Sequence, residues 1–115
     1  MKTLEKTALL TREREAIEAA SSKLRKDFPV EKIVLFGSKA RGDSDEHSDI
    51  DLLIITSRPL HWKDEKTIVE ELFDIGLEYD VIFSPLFASH TEWESGLFGQ
   101  FPIYQEIIRD GAIVS

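Results

Sequence analysis

The stretch Ile33–Ile55, IVLFGSKARGDSDEHSDIDLLII, decides how the chain folds. It reads as an apolar strand, a Gly37-Ser38 turn, a short polar connection and a second apolar strand that opens with Asp49 and Asp51. Side chains alternate faces along a strand, so Asp49 and Asp51 share one face and Ile50 points to the other. Like charges so placed repel each other unless a cation lies between them, and hard divalent cations such as Mg2+ take oxygen ligands of this kind. The stretch therefore points to a metal-and-phosphate site.

Outward from the two aspartates, Gly37-Ser38 permits a tight turn and close backbone approach. Lys39, Ala40 and Arg41 continue it as the first turn of a short helix. A helix start directly after a strand offers free N–H groups to an anion. Ser38 adds a hydroxyl, and Arg41 a planar donor suited to phosphate. The loop Gly42–Ser48 has turn chemistry. Its His47 is read as solvated, and Asp43, Asp45 and Glu46 lack the regular spacing and closing glutamate of a calcium loop.

Upstream, Leu4–Phe28 has helical composition. Ile17, Ala20, Leu24 and Phe28 line one face, Thr11 is a plausible start, and Phe28-Pro29 is the stop. Val30–Phe36 is expected as the first strand and Asp49–Thr56 as the second, ended by Ser57-Arg58-Pro59. Lys63–Leu77 shows a helical stripe with Gly76 near its end and reads as a crossover helix. Tyr79–Phe83 is expected as a third strand, stopped by Ser84-Pro85. Asp80 opens it, and a charged residue entering an apolar strand is seldom there for packing. If that strand lies beside the second, Asp49, Asp51 and Asp80 converge opposite the Gly37-Ser38 turn. The tail from His90 to Ser115 reads as one or two short helices whose aromatics are core, with Gly111 as the last stop. The fold class is therefore α/β (α+β), a small mixed sheet of three or four strands packed with helices, in one domain spanning 1–115.

Composition narrows the chemistry. The chain of 115 residues has no cysteine, which excludes disulfides, thiolate metal sites and Cys nucleophiles and fits a reducing, cytoplasmic setting. Met1–Leu10 is too charged for a signal-peptide core, and no apolar run approaches a membrane span. A formal net charge of -8 disfavours direct nucleic-acid binding, which depends on Lys and Arg neutralising phosphates. A protein or small-molecule partner fits the acidity better.

Gly37-Ser38, ten residues, then Asp49-Ile50-Asp51 resembles the signature of the DNA polymerase beta-type nucleotidyltransferase superfamily. The Gly-Ser-Lys-Ala-Arg-Gly start and small size are similar to its minimal nucleotidyltransferase (MNT) branch, and the tail WESGLFGQFPIYQEIIRDG resembles the family's C-terminal segment. The resemblance implies that Asp49, Asp51 and Asp80 bind two Mg2+ ions, and that Gly37 and Ser38 hold the triphosphate of ATP with Arg41 as a further contact. It implies that Asp80 binds the acceptor-side ion alone and can take the acceptor proton. Small members of the family are often antitoxins paired with an all-helical HEPN ribonuclease toxin, and some transfer AMP from ATP to a toxin tyrosine. The expectation is thus a protein adenylyltransferase acting on a HEPN toxin, a type VII-like antitoxin. Its rivals are a non-catalytic module that neutralises by complex formation and a small-molecule nucleotidyltransferase of the antibiotic-modifying kind.

Overall fold

The computed structural model describes residues 1–45 and 47–115, and of Leu97 the backbone only. Glu46 of the acidic loop and the Leu97 side chain of the apolar tail therefore lie outside the described residues. A five-stranded mixed sheet runs in the order β1 (Lys2–Thr3), β5 (Ala112–Ile113), β2 (Val30–Phe36), β3 (Ile50–Thr56), β4 (Phe83–Ser89). β2 and β3 are antiparallel, β3 and β4 parallel. Five strands replace the expected three or four. The two additions are two residues long each, too short for any alternation to show in sequence.

β2 and β3 are apolar on both faces because both faces are covered. On one face α1 (Thr11–Asp27) and α3 (Trp62–Tyr79) pack through Ile17, Ala20, Leu24, Ile68 and Leu72 against Ile33, Leu35, Ile50, Leu52 and Ile54. On the other, Trp93 of α4 (His90–Glu94) and Ile107 of α5 (Pro102–Asp110) cover Val34, Phe36, Leu53 and Ile55. Among the described residues twelve large side chains of this core are fully buried, and each aliphatic one contributes about 2 kcal/mol. Among the described residues no helix is long and apolar enough to cross a membrane.

The N-terminal helix starts at Thr11, with Leu4–Lys6 a separate 3-10 turn. Glu13 fixes that start, its carboxylate accepting from the Leu10 N–H at 2.8 Å.

The expected third strand is displaced. α3 runs on to Tyr79, and the strand begins at Phe83 and passes through Ser84-Pro85 rather than stopping there. Proline removes a ladder donor, but β4 is the sheet's edge and pairs only with β3, so the position tolerates it. Gly76, expected near the helix end, is buried inside it, where a Cβ would stand 2.5 Å from the Val81 carbonyl oxygen. The chain leaving α3 can pass close to the helix only over a glycine.

Candidate active site

At the end of β2 the backbone turns directly into α2 (Gly37–Arg41). Gly37 has φ +73°, and a Cβ there would lie 2.1 Å from Asp51 Oδ2. Any side chain would therefore collide with the carboxylate, quite apart from backbone strain. The contact follows from register, because Phe36 pairs with Asp51 across β2 and β3 and places the turn over the aspartate. Gly42, also at positive φ, ends the five-residue helix by donating its N–H to the Ser38 carbonyl at 3.0 Å. Gly37, half-buried Ser38, and Asp49 and Asp51 are thus brought together as the sequence predicts.

Asp49 is exposed just ahead of β3, and Asp51 is half-buried within it. Burial pushes the Asp51 carboxyl above the ordinary carboxylate value, the neighbouring Asp49 charge adds to this, and Arg41 opposes it. Arg41 is exposed, and its Nε donates to Asp43 at 3.2 Å. Neither Asp49 nor Asp51 has an ion-pair partner among the described residues. Two repelling carboxylates, one of them partly desolvated, are a donor set matched to a divalent cation.

Asp80 departs from expectation. It is the exposed C-cap of α3 at φ 58°, the one described non-glycine residue with positive φ. Its N–H and that of Val81 both turn back to the Gly76 carbonyl. Aspartate is among the few residues that adopt this left-handed conformation readily, so a helix cap accounts for its presence. No group of three acidic, His or Cys side chains able to hold an ion occurs among the described residues. In the parallel β3–β4 pairing the residue level with Asp51 is Ser84, and Ile82 stands one step before Phe83, which pairs with Ile50. Neighbours in register share a face, so Ser84 and Ile82, not Asp80, flank the two carboxylates about 4.8 Å away along the sheet.

Lys39 is a functional neighbour that composition alone does not reveal. Its side chain is only 2% exposed, forms an ion pair with buried Glu13, and donates to the Asp45 carbonyl at 2.7 Å. It ties α1 to α2 and anchors the polar loop that leads into Asp49. The signal lay in its place: a lysine three residues past a strand that is buried on both faces has little room to reach water, and a buried ammonium needs a carboxylate.

The nucleotidyltransferase domain model matches residues 17–106. A protein of Methanocaldococcus jannaschii provisionally designated a protein adenylyltransferase is 37% identical over 62 residues, 54% of this chain and 63% of that relative's length. The match thus spans less than two thirds of that protein. Among solved structures, a toxin-antitoxin with AMP-PNP aligns with TM-score 0.60 at 18% identity, over 90% of this chain and 72% of the other. A tri-AMPylated Shewanella oneidensis HEPN toxin in complex with MNT antitoxin aligns with TM-score 0.51 at 19% identity, over 87% and 70%. At these identities the structures speak for a shared fold.

Proposed function

The chain belongs to the nucleotidyltransferase domain family, and on that footing we propose that it is a protein adenylyltransferase that moves AMP from ATP to a hydroxyl, in the first instance a tyrosine, of a HEPN-type toxin. The observation that carries the proposal is the unpaired Asp49/Asp51 couple, with the Asp51 carboxylate lying against the bare Cα of Gly37. In the reaction the acceptor oxygen bonds to the α-phosphorus, the P–O bond to the β-phosphate breaks, pyrophosphate departs and the hydroxyl proton passes to water. Bound Mg2+ would lower the acceptor pKa and offset charge on the triphosphate and the leaving group. Asp49 and Asp51 would hold the ion. The open backbone at Gly37, the Ser38 hydroxyl and the Arg41 guanidinium would receive the phosphates. Asp80, capping a helix, has no part in this scheme.

A second reading is that the chain neutralises its partner by complex formation alone, for which the exposed apolar side chains Phe73, Leu77 and Ile82 offer a contact surface. One experiment separates the two. The purified chain is mixed with radiolabelled ATP, Mg2+ and the purified product of the adjacent reading frame, and label on that protein is followed. Adenylyl transfer predicts labelling that disappears in the double variant Asp49→Asn, Asp51→Asn. Labelling that persists in the variant refutes the assigned site, and neutralisation of the partner without labelling supports complex formation.

A further inference from the structure

The outer side of α3 carries a second apolar stripe. Ile68 and Leu72 face the sheet, while Val69, Phe73 and Leu77 recur every four residues on the exposed side, and Phe73 and Leu77 are 65% and 70% exposed. They line a groove of about 400 Å3 together with Val81, Ile82 and Pro85, between the helix and the open edge of β4. Ile82 is 64% exposed. Large apolar side chains clustered at such exposure mark a contact surface far more often than isolated ones do.

The position of the groove indicates its occupant. Ile82 belongs both to the groove and to the cleft lined by Ser48 and Asp80, and its carbonyl accepts the Ile50 N–H at 2.8 Å, between the two site aspartates in sequence. The groove itself lies on the α3 face, opposite the face that carries Asp49 and Asp51, and it comes nearest to them at its Ile82 end, where the open edge of β4 separates the two faces. The rim at this end is acidic, with Asp74, Glu78 and Asp80 all exposed, while the helix cations Lys63 and Lys66 lie toward its other end. An isologous pairing of two copies centred on the groove would set these carboxylates against each other, on chains that already carry -8 each.

We propose that the groove between α3 and β4 docks the acceptor protein, taking an apolar segment flanked by Lys or Arg, while the acceptor hydroxyl comes from a part of that protein that reaches round the Ile82 end of β4 to the Asp49/Asp51 face. The inference rests on the adenylyltransferase reading for its acceptor, and it can fail separately. The test compares wild type, Leu77→Asp, Phe73→Asp and a control, Phe101→Asp, which is exposed beside the helices of the opposite sheet face. All substituted side chains are exposed, so the fold is retained, as circular dichroism checks. Binding to the purified product of the adjacent reading frame is measured by calorimetry, nucleotide affinity with a fluorescent ATP analogue, and AMP transfer against acceptor concentration. The groove variants should need at least about tenfold more acceptor, for binding and for half-maximal transfer, with nucleotide affinity unchanged and the control like wild type. A charge reversal, Glu78→Lys, should weaken acceptor binding in the same direction.

Wild-type acceptor dependence in Leu77→Asp and Phe73→Asp overturns the groove and leaves adenylyl transfer standing. Binding that these variants abolish, without transfer by the wild type, keeps the docking surface and overturns the adenylyltransferase reading. No binding by the wild type, or a wild-type dimer that Leu77→Asp dissociates in sedimentation, overturns the inference.

Discussion

Asp51 and Asp80 each stand close to the start of one of two neighbouring parallel strands, yet their backbones give them opposite tasks. Asp51 lies in extended β3 with its carboxylate over Gly37, half-buried and repelled by Asp49. Asp80 lies exposed in a left-handed turn that ends α3. One carboxylate is held where its charge is costly, which is how binding sites are built. The other sits at a positive φ that aspartate tolerates better than most side chains. A carboxylate near a cleft is therefore not a ligand until its φ and register are known.

The sharpest way to break this contrast is to neutralise each side chain in turn. Asp51→Asn should lower AMP transfer by at least about a hundredfold, the scale at which one electrostatic contact to a transition state acts. Asp80→Asn should leave the rate within about twofold, since asparagine also accepts the left-handed conformation. Single-turnover labelling at saturating nucleotide reads both. A large loss in Asp80→Asn would restore the third carboxylate to the site.

The buried Lys39–Glu13 pair distinguishes the two regions in stability. Lys39→Met strands the Glu13 carboxylate in the interior and should cost about 3–5 kcal/mol, read as a shift in the urea midpoint. Combining it with Glu13→Gln should recover much of that loss, because no unpaired charge then remains. Among the described residues the Asp80 turn has no such partner. Asp80→Ala should cost about 1–2 kcal/mol through the positive φ, and Asp80→Gly should cost nothing or stabilise.

These differences also explain what the sequence could convey. The Gly37-Ser38 to Asp49/Asp51 block was legible because its parts are local: a turn, a strand and a two-residue alternation fix which side chains meet. The antiparallel pairing of β2 and β3 then brings glycine and aspartate together. The order of the two main helices and the buried face of α1 were legible from apolar spacing, but of the α3 stripe only Ile68, Leu72 and Ile75 meet the core, while Val69 and Phe73 are exposed. Asp80 was misplaced because Glu78-Tyr79-Asp80-Val81-Ile82 suits a strand start as well as a helix end, and propensity does not decide between them. Pro85 reinforced the error, since only the sheet order reveals that β4 is an edge. Ser84 and Lys39 were silent for another reason: their importance comes from a register and a burial that depend on residues far along the chain.

The smallest expected effect concerns stability and bears on Asp51 alone. Its carboxyl titrates above the ordinary carboxylate value in the folded chain, chiefly through burial and then through Asp49, so the folded protein holds that proton more tightly than the unfolded one. By linkage the ionised group subtracts from stability at neutral pH, and the penalty is relieved as pH falls through the raised pKa. Asp51→Asn should therefore raise the melting midpoint at neutral pH, by on the order of a few degrees given the screening of a partly exposed group. The gain should shrink as pH falls through the raised pKa and vanish only once the carboxyl is protonated in the unfolded chain as well. Millimolar Mg2+ should raise the wild-type midpoint and not that of the variant, because an ion held by the pair offsets the same repulsion. Asp80→Asn should keep the wild-type rise with Mg2+, and loss of that rise would mean that Asp80 helps to hold the ion after all.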